Sequence, residues 1–143
     1  MRTWLLAASV LLACEDSDDV NHGDAQRLLE GTDALCTLDL AYYEVANVAI
    51  AAWKDAAAAR RLRGLIAAVA GDGGLVRADS ELLEAAAELA PQHGISAYAA
   101  AYVAAAGACG AQLVSCDVRD LVSRGLALLP ADALAGERGP RTA

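Results

Sequence analysis

The amino-terminal run Met1–Cys14, MRTWLLAASVLLAC, constrains this chain more than any other stretch, because it admits two incompatible proteins. In one, Thr3–Ala7 is a buried central strand that turns at Ala8-Ser9 into the apolar start of a helix. In the other, Arg2 supplies the positive charge and Trp4–Ala13 the apolar run of an export signal, with a small residue ahead of Cys14. The first reading orders a sheet around Thr3–Ala7. The second discards the residues before Cys14. The remainder of the chain has to decide.

A chain of 143 residues suits one domain with a substantial core. Its hydrophobic content of 57% is high, but much of that is Ala and there is no Phe, so the core rests on Leu, Val, Ile, Trp and Tyr. No later apolar run approaches the roughly 20 residues of a membrane-spanning helix, and no membrane partner is expected. A net charge of −8 argues against coating nucleic acid through bulk electrostatics, while leaving open an enzyme with a local basic patch and a metal ion. Arg60, Arg61 and Arg63 form the one dense basic cluster, which reads as a solvated helix face. Cysteines at 14, 36, 109 and 116 show neither CxxC nor a His at ligand spacing, which disfavours zinc. Cys36, Cys109 and Cys116 lie in or beside apolar stretches, as buried free thiols do, and point to a reducing cytoplasm.

Along the chain, an acidic turn at Glu15–Asp19 precedes a short amphipathic helix carrying Ala25, Leu28 and Leu29. Gly31-Thr32-Asp33 ends it, and Ala34–Leu38 reads as a buried strand. Leu40–Trp53 has helical periodicity, Lys54-Asp55 breaks it, and Ala56–Ala70 forms a second long helix. Gly71-Asp72-Gly73-Gly74 is a turn before a short strand at Leu75-Val76. Asp79 or Ser80 caps a helix that Pro91–Gly94 should stop, and Ser96 caps another over Ala97–Cys109. Gln112–Cys116 is expected as a strand, Val118–Arg124 as a helical turn, Leu126–Leu129 as a last strand and Pro130–Ala143 as a loose tail.

Short apolar strands alternating with helices imply an α/β fold with a parallel sheet covered on both faces. Polar sites in such sheets gather beyond the carboxyl ends of the strands. That rule nominates position 7 and Ser9, Asp39–Glu44, Asp117–Asp120 and the helix start Ser96–Ala99.

The order of these segments resembles the PIN-domain family, and within it the VapC-type toxins of bacterial toxin–antitoxin pairs. The matching stretches are Ala7-Ala8-Ser9-Val10-Leu11-Leu12, Tyr43-Glu44-Val45-Ala46-Asn47, Gly94-Ile95-Ser96-Ala97-Tyr98 and Leu113-Val114-Ser115-Cys116-Asp117. Each is weak alone, and the four in family order are specific. The resemblance covers residues 1 to about 130, leaving 131–143 as a flexible tail. It implies a three-layer PIN fold, a cluster of acids binding Mg²⁺ or Mn²⁺, endoribonuclease activity on RNA, a cognate antitoxin partner, a homodimer and a cytoplasmic location.

The chain departs from the family at the site itself. The toxins end their first strand in Asp-Ala-Ser, where this chain has Ala7-Ala8-Ser9, and open the later helix with Asp, where it has Ala99. Glu44 and Asp117 remain of the four acids. Both losses are to Ala at family metal positions, the pattern left by a double Asp→Ala inactivation. The resemblance assigns Glu44 and Asp117 to metal binding and catalysis, with Ser9, Asn47, Ser96 and Asp120 as supporting candidates. Asp117 is equally suited to capping the turn that follows it.

The same departure accounts for the ambiguity at the start. An Asp at position 7 would split the apolar run, and cleavage ahead of Cys14 would delete the strand that the others need as a neighbour. The strand reading is therefore preferred. Two alternatives accompany it: a degenerate PIN module that binds RNA or protein without catalysis, and an exported lipoprotein whose Leu11-Leu12-Ala13-Cys14 resembles a lipobox.

Overall fold

The structure, a computed structural model, describes residues 2–71 and 73–137. Asp72 of the expected glycine turn and residues 138–143 of the expected tail lie outside the described residues. The apolar amino-terminal run becomes strand β1 (Thr3–Leu6) followed by helix α1 (Ala8–Glu15). Helix α2 (His22–Glu30), strand β2 (Ala34–Leu38), helices α3 (Leu40–Asn47) and α4 (Ala56–Gly71) and strand β3 (Leu75–Val76) follow. Helices α5 (Ser80–His93) and α6 (Ala97–Ala108), strand β4 (Gln112–Val114) and helix α7 (Pro130–Glu137) complete the chain.

Among the described residues the strands form one parallel sheet in the order β3-β2-β1-β4. Strand β1 lies between β2, with Leu5 beside Cys36, and β4, with Leu5 beside Leu113. Helices cover both faces of a central strand, so its side chains need no polar alternation. Trp4, Leu5 and Leu6 accordingly have no solvent exposure. The buried indole of Trp4 keeps a polar partner, because its Nε1–H donates to Asp33 Oδ2 at 2.9 Å, just ahead of β2. The one buried side-chain hydroxyl in β2 is equally well placed: Thr37 Oγ1 donates to the carbonyl of Leu6 at 2.7 Å. The core continues through Val10, Leu11, Leu28, Leu38, Val45, Leu62, Ile66 and Val114, with closely packed alanines on α6. None of the described helices is long and apolar enough to cross a membrane.

Several expected boundaries moved, each for a local reason. The helix from Leu40 does not run unbroken to Trp53; after Asn47 it widens into a π-helical turn, Val48–Ala52. Lys54, with φ 54°, then breaks the chain, and Asp55 Oδ1 accepts the N–H of Ala58 to begin α4. Helix α5 ends within Pro91–Gly94 as expected: Pro91 sits in its last turn, and the stop comes at Gly94, whose φ of 64° lets the N–H of Ile95 return to the carbonyl of Ala90 at 3.0 Å. The expected strand Leu126–Leu129 is a single bridge from Leu128 to Val114, framed by two backbone hydrogen bonds of 2.9 Å. The expected loose tail begins instead as helix α7, in which Ala133 is fully buried and Leu134 nearly so, against α2. Its apolar pair was too short a pattern to separate from a polar terminus.

Gly74 is required by close approach. A Cβ there would collide with the backbone carbonyl of Leu35 and lie 2.7 Å from that of Val69, with no flexible side chain to yield. Overpacking of this kind costs about 1–3 kcal/mol, equivalent to roughly 2–10 °C of Tm in a domain of this size. Gly74→Ala is therefore expected to lower Tm within that range, whereas Gly107→Ala, where a Cβ meets open space on α6, should not. Thermal unfolding of both variants checks this; equal effects at the two positions would contradict it.

Candidate active site

The sheet order places its switch point between β1 and β4, where chain connections leave in opposite directions and a crevice opens beyond the carboxyl ends. A cavity of about 190 Å³ lies there. Ala7, Ala8 and Ser9 line it from the β1–α1 turn, Glu44 from α3, and Ser96, Tyr98, Ala99 and Tyr102 from the start of α6. Ser115, Asp117 and Leu121 close it from the chain after β4. Six of the eight positions nominated from sequence thus meet: Ala7, Ser9, Glu44, Ser96, Ala99 and Asp117. Asn47 is solvent-exposed on α3 and lines no part of the cavity, and Asp120 also lies outside its wall.

A polar brace holds the β1 and β4 ends together. The N–H of Ala7 donates to the carbonyl of Val114 at 3.0 Å, and Ser9 Oγ accepts the N–H of Cys116 at 2.9 Å. Ser9 Oγ also lies 3.3 Å from the buried Ser115 Oγ, which accepts the N–H of Asp117 at 3.0 Å. Ser9 is thus engaged by backbone and hydroxyl partners. Asp117 Oδ1 accepts the N–H of Asp120 at 3.0 Å, capping the π-helical turn Val118–Val122. Ser96 Oγ caps α6 by accepting the N–H of Ala99 at 3.1 Å, so position 99 sits at the positive end of that helix.

Glu44 has the most unusual surroundings. Its Oε1 and the hydroxyl of Tyr102 are both buried, and neither reaches a partner at full hydrogen-bond geometry among the described residues. Burial pushes the Glu44 carboxyl above the usual carboxylate range; the nearby phenol pulls it down by less. The Tyr102 hydroxyl is pushed up in turn, by burial first and by the Glu44 carboxylate second. Of the tyrosines on α6, only Tyr102 packs into the core: it is 4% exposed against 66% for Tyr98. Sequence reasoning did not single out Ser115, whose signal was the Ser-x-Asp spacing to Asp117 on a strand end.

Two carboxylates line this cavity, one buried and raised, the other spent partly on a cap. Among the described residues no group of three or more His, Cys, Asp or Glu side chains could hold a metal ion. With Ala at 7 and 99, the residues present do not make a fitted site for a hard divalent cation, which prefers several oxygen donors. A larger hollow of about 840 Å³ opens at the opposite, amino-terminal ends of the strands, around Glu15, Gly31–Leu35 and Arg61. Its Arg61 is paired with Glu15, and it lies away from the strand ends where parallel sheets place their chemistry. Arg60 and Arg63, its neighbours on α4, face solvent as expected of that cluster.

Comparison with known proteins agrees with the fold. The PIN domain model matches residues 5–125, and this chain belongs to the PIN domain family. Among solved structures, it is similar to a toxin–antitoxin complex from Klebsiella pneumoniae (14% identity, 88% of this chain and 96% of that one, TM-score 0.67). It is also similar to the sarcin-ricin loop cleaving toxin VapC20 of Mycobacterium tuberculosis (20% identity, 81% and 91%, TM-score 0.64). A third likeness is to PAE2754 of Pyrobaculum aerophilum (24% identity, 94% of both chains, TM-score 0.66). No curated protein matches the chain in sequence.

The raised Glu44 carboxyl makes a pH prediction. A folded-state pKa above the unfolded one means that the protonated form is favoured by folding, so ionised Glu44 destabilises the fold at neutral pH. That penalty vanishes below the ordinary carboxylate value near 4.5 and grows as pH rises through the folded value. Glu44→Gln is expected to raise Tm by a few degrees at pH 7, with the gain shrinking toward pH 4.5. Melting curves of both proteins across that range test it; a gain independent of pH would contradict it.

Proposed function

We propose that this chain is the toxin-type member of a toxin–antitoxin pair, a VapC-like PIN module built on a metal-dependent endoribonuclease site that is reduced here to Glu44 and Asp117. One observation carries the reading: the cavity at the sheet's switch point gathers both remaining acids together with Ala7 and Ala99, where the family resemblance expects Asp. Likeness to the Klebsiella complex and to VapC20 supports the toxin class.

Phosphodiester cleavage of this kind needs a divalent ion that lowers the pKa of an attacking water and offsets charge on the phosphate. Two carboxylates support at most a loose, water-rich association with Mg²⁺ or Mn²⁺. What this chain's own residues do is hold the frame: Ser9 and Ser115 brace the two strand ends, Ser96 fixes the start of α6, and Glu44 waits against Tyr102. The expected RNA cleavage is therefore negligible. Cleavage of a mixed RNA pool with Mg²⁺ or Mn²⁺, with chelator controls, tests this on the chain and its reversions. Ala7→Asp with Ala99→Asp should raise the rate by at least about 100-fold, and each single change should give less, because ligands of one ion act as a unit. Strong chelator-sensitive cleavage by the unreverted chain would overturn the assignment of positions 7 and 99.

The partner reading rests on different residues and survives loss of the acids. Tyr98 and Val118, exposed beside the cavity, and Tyr43 and Ile50, exposed on and just after α3, offer the apolar surface that an antitoxin segment or a second copy covers. Removing two carboxylates weakens attraction for a basic antitoxin side chain but also removes the cost of desolvating them. Co-purification with the antitoxin of the neighbouring gene is expected to persist; a folded chain that forms no complex would refute it. Cytoplasmic residence belongs to the same reading, with Thr3–Leu6 kept as the central strand. Intact mass from the native host tests it, and a lipidated species starting at Cys14 would overturn it.

A further inference from the structure

Two thiols outside the site meet where α6 ends over the sheet. Cys36 is buried in the middle of β2, and Cys109 is exposed at the carboxyl-terminal cap of α6. They are 73 residues apart in sequence, yet their sulfurs lie 3.1 Å from each other. Approach by about 1 Å would close a disulfide. The other two thiols differ. Cys14 and Cys116 are both half-buried and feel each other electrostatically, but no hydrogen bond joins their sulfurs. Burial pushes the first up to about 12 and the second to about 11.

We propose that Cys36 and Cys109 form a dithiol modification site, oxidised by small-molecule disulfides of the glutathione class to an intramolecular disulfide that ties α6 to β2. The exposed Cys109 thiolate attacks one sulfur of the small disulfide. A mixed disulfide forms at Cys109, and the first small thiolate leaves and takes up the proton that Cys109 released. Cys36 Sγ then attacks Cys109 Sγ, the bond to the small molecule breaks, and the second small thiol departs with the proton of Cys36. Two protein thiols have lost two electrons, and one small disulfide has become two thiols.

The order of events follows from exposure and charge. Only Cys109 is open to an incoming disulfide. The Cys36 thiol is pushed up to about 12, first by burial and then by the hydrogen bond and charge of Cys109. Once Cys109 carries a neutral mixed disulfide, its charge no longer opposes ionisation of Cys36, so the first step prepares the second. The bond would close a long loop and restrict the unfolded chain accordingly. It would also fasten one end of the helix whose other end supplies Ser96, Ala99 and Tyr102 to the cavity. None of this depends on nuclease activity or on an antitoxin.

The test uses the full chain and a Cys14→Ser/Cys116→Ser variant, each incubated with oxidised glutathione at neutral pH and then alkylated. Both should lose two alkylatable thiols, become about 2 Da lighter and yield a linked Cys36–Cys109 peptide. Tm should rise by about 10 °C and return on reduction. Cys36→Ser should stop at a stable glutathione adduct on Cys109. The proposal is overturned if the unsubstituted chain also stops at that adduct, if both sulfurs remain alkylatable, or if the linkage joins two chains. Peptide mapping on the full chain decides the matter even if the double variant fails to fold.

Discussion

Strand β1 is the element on which the rest of this structure depends. It hydrogen-bonds on both edges, to β2 from Thr3 to Leu6 and to β4 from Trp4 to Leu6, and its large side chains are wholly out of water. A central parallel strand has no free edge and no solvated face, so sequence changes in it are felt on four sides. Its last carbonyl is held by Thr37 and the next N–H by Val114, which fixes where the chain turns into α1. Position 7 is therefore placed by backbone pairing alone, whatever its side chain.

That separation of frame from chemistry runs through the whole cavity. The hydrogen bonds that organise it come from serines and backbone groups: Ser9 to Cys116, Ser115 to Asp117, Ser96 to Ala99. None of them requires a carboxylate at 7 or 99. Glu44 carries the burden of a partly buried acid: its Oε1 lacks a hydrogen bond of full geometry, beside a phenol in the same condition. Such a pair is costly in a structural core and fits a polar site.

Much of the fold was legible because it is encoded in local pattern. Ala34–Leu38 and Leu75–Val76 are the strands their composition announced, and Ser96 and Asp79 cap the helices they precede. The stop expected at Pro91–Gly94 falls at Gly94, in a left-handed conformation, with Pro91 still inside the last turn. Two expectations failed. Leu126–Leu129 looks like a strand but finds only one residue of β4 to pair with. Ala133 and Leu134 looked like part of a tail until α2 supplied the surface that buries them.

By itself, the sequence determined the alternation of strands and helices, the turn residues, and the set of positions from which a site would be drawn. It also determined that two of those positions, 7 and 99, carry methyl groups. Tertiary structure alone set Trp4–Leu6 at the centre of the sheet, since an apolar run has no memory of which surface will cover it until β2 and β4 flank it. It likewise decided that Asn47 faces water while Tyr102 faces Glu44, and that Cys36 meets Cys109 across 73 residues. Periodicity specifies which residues share a face of one element. Only packing specifies what that face meets.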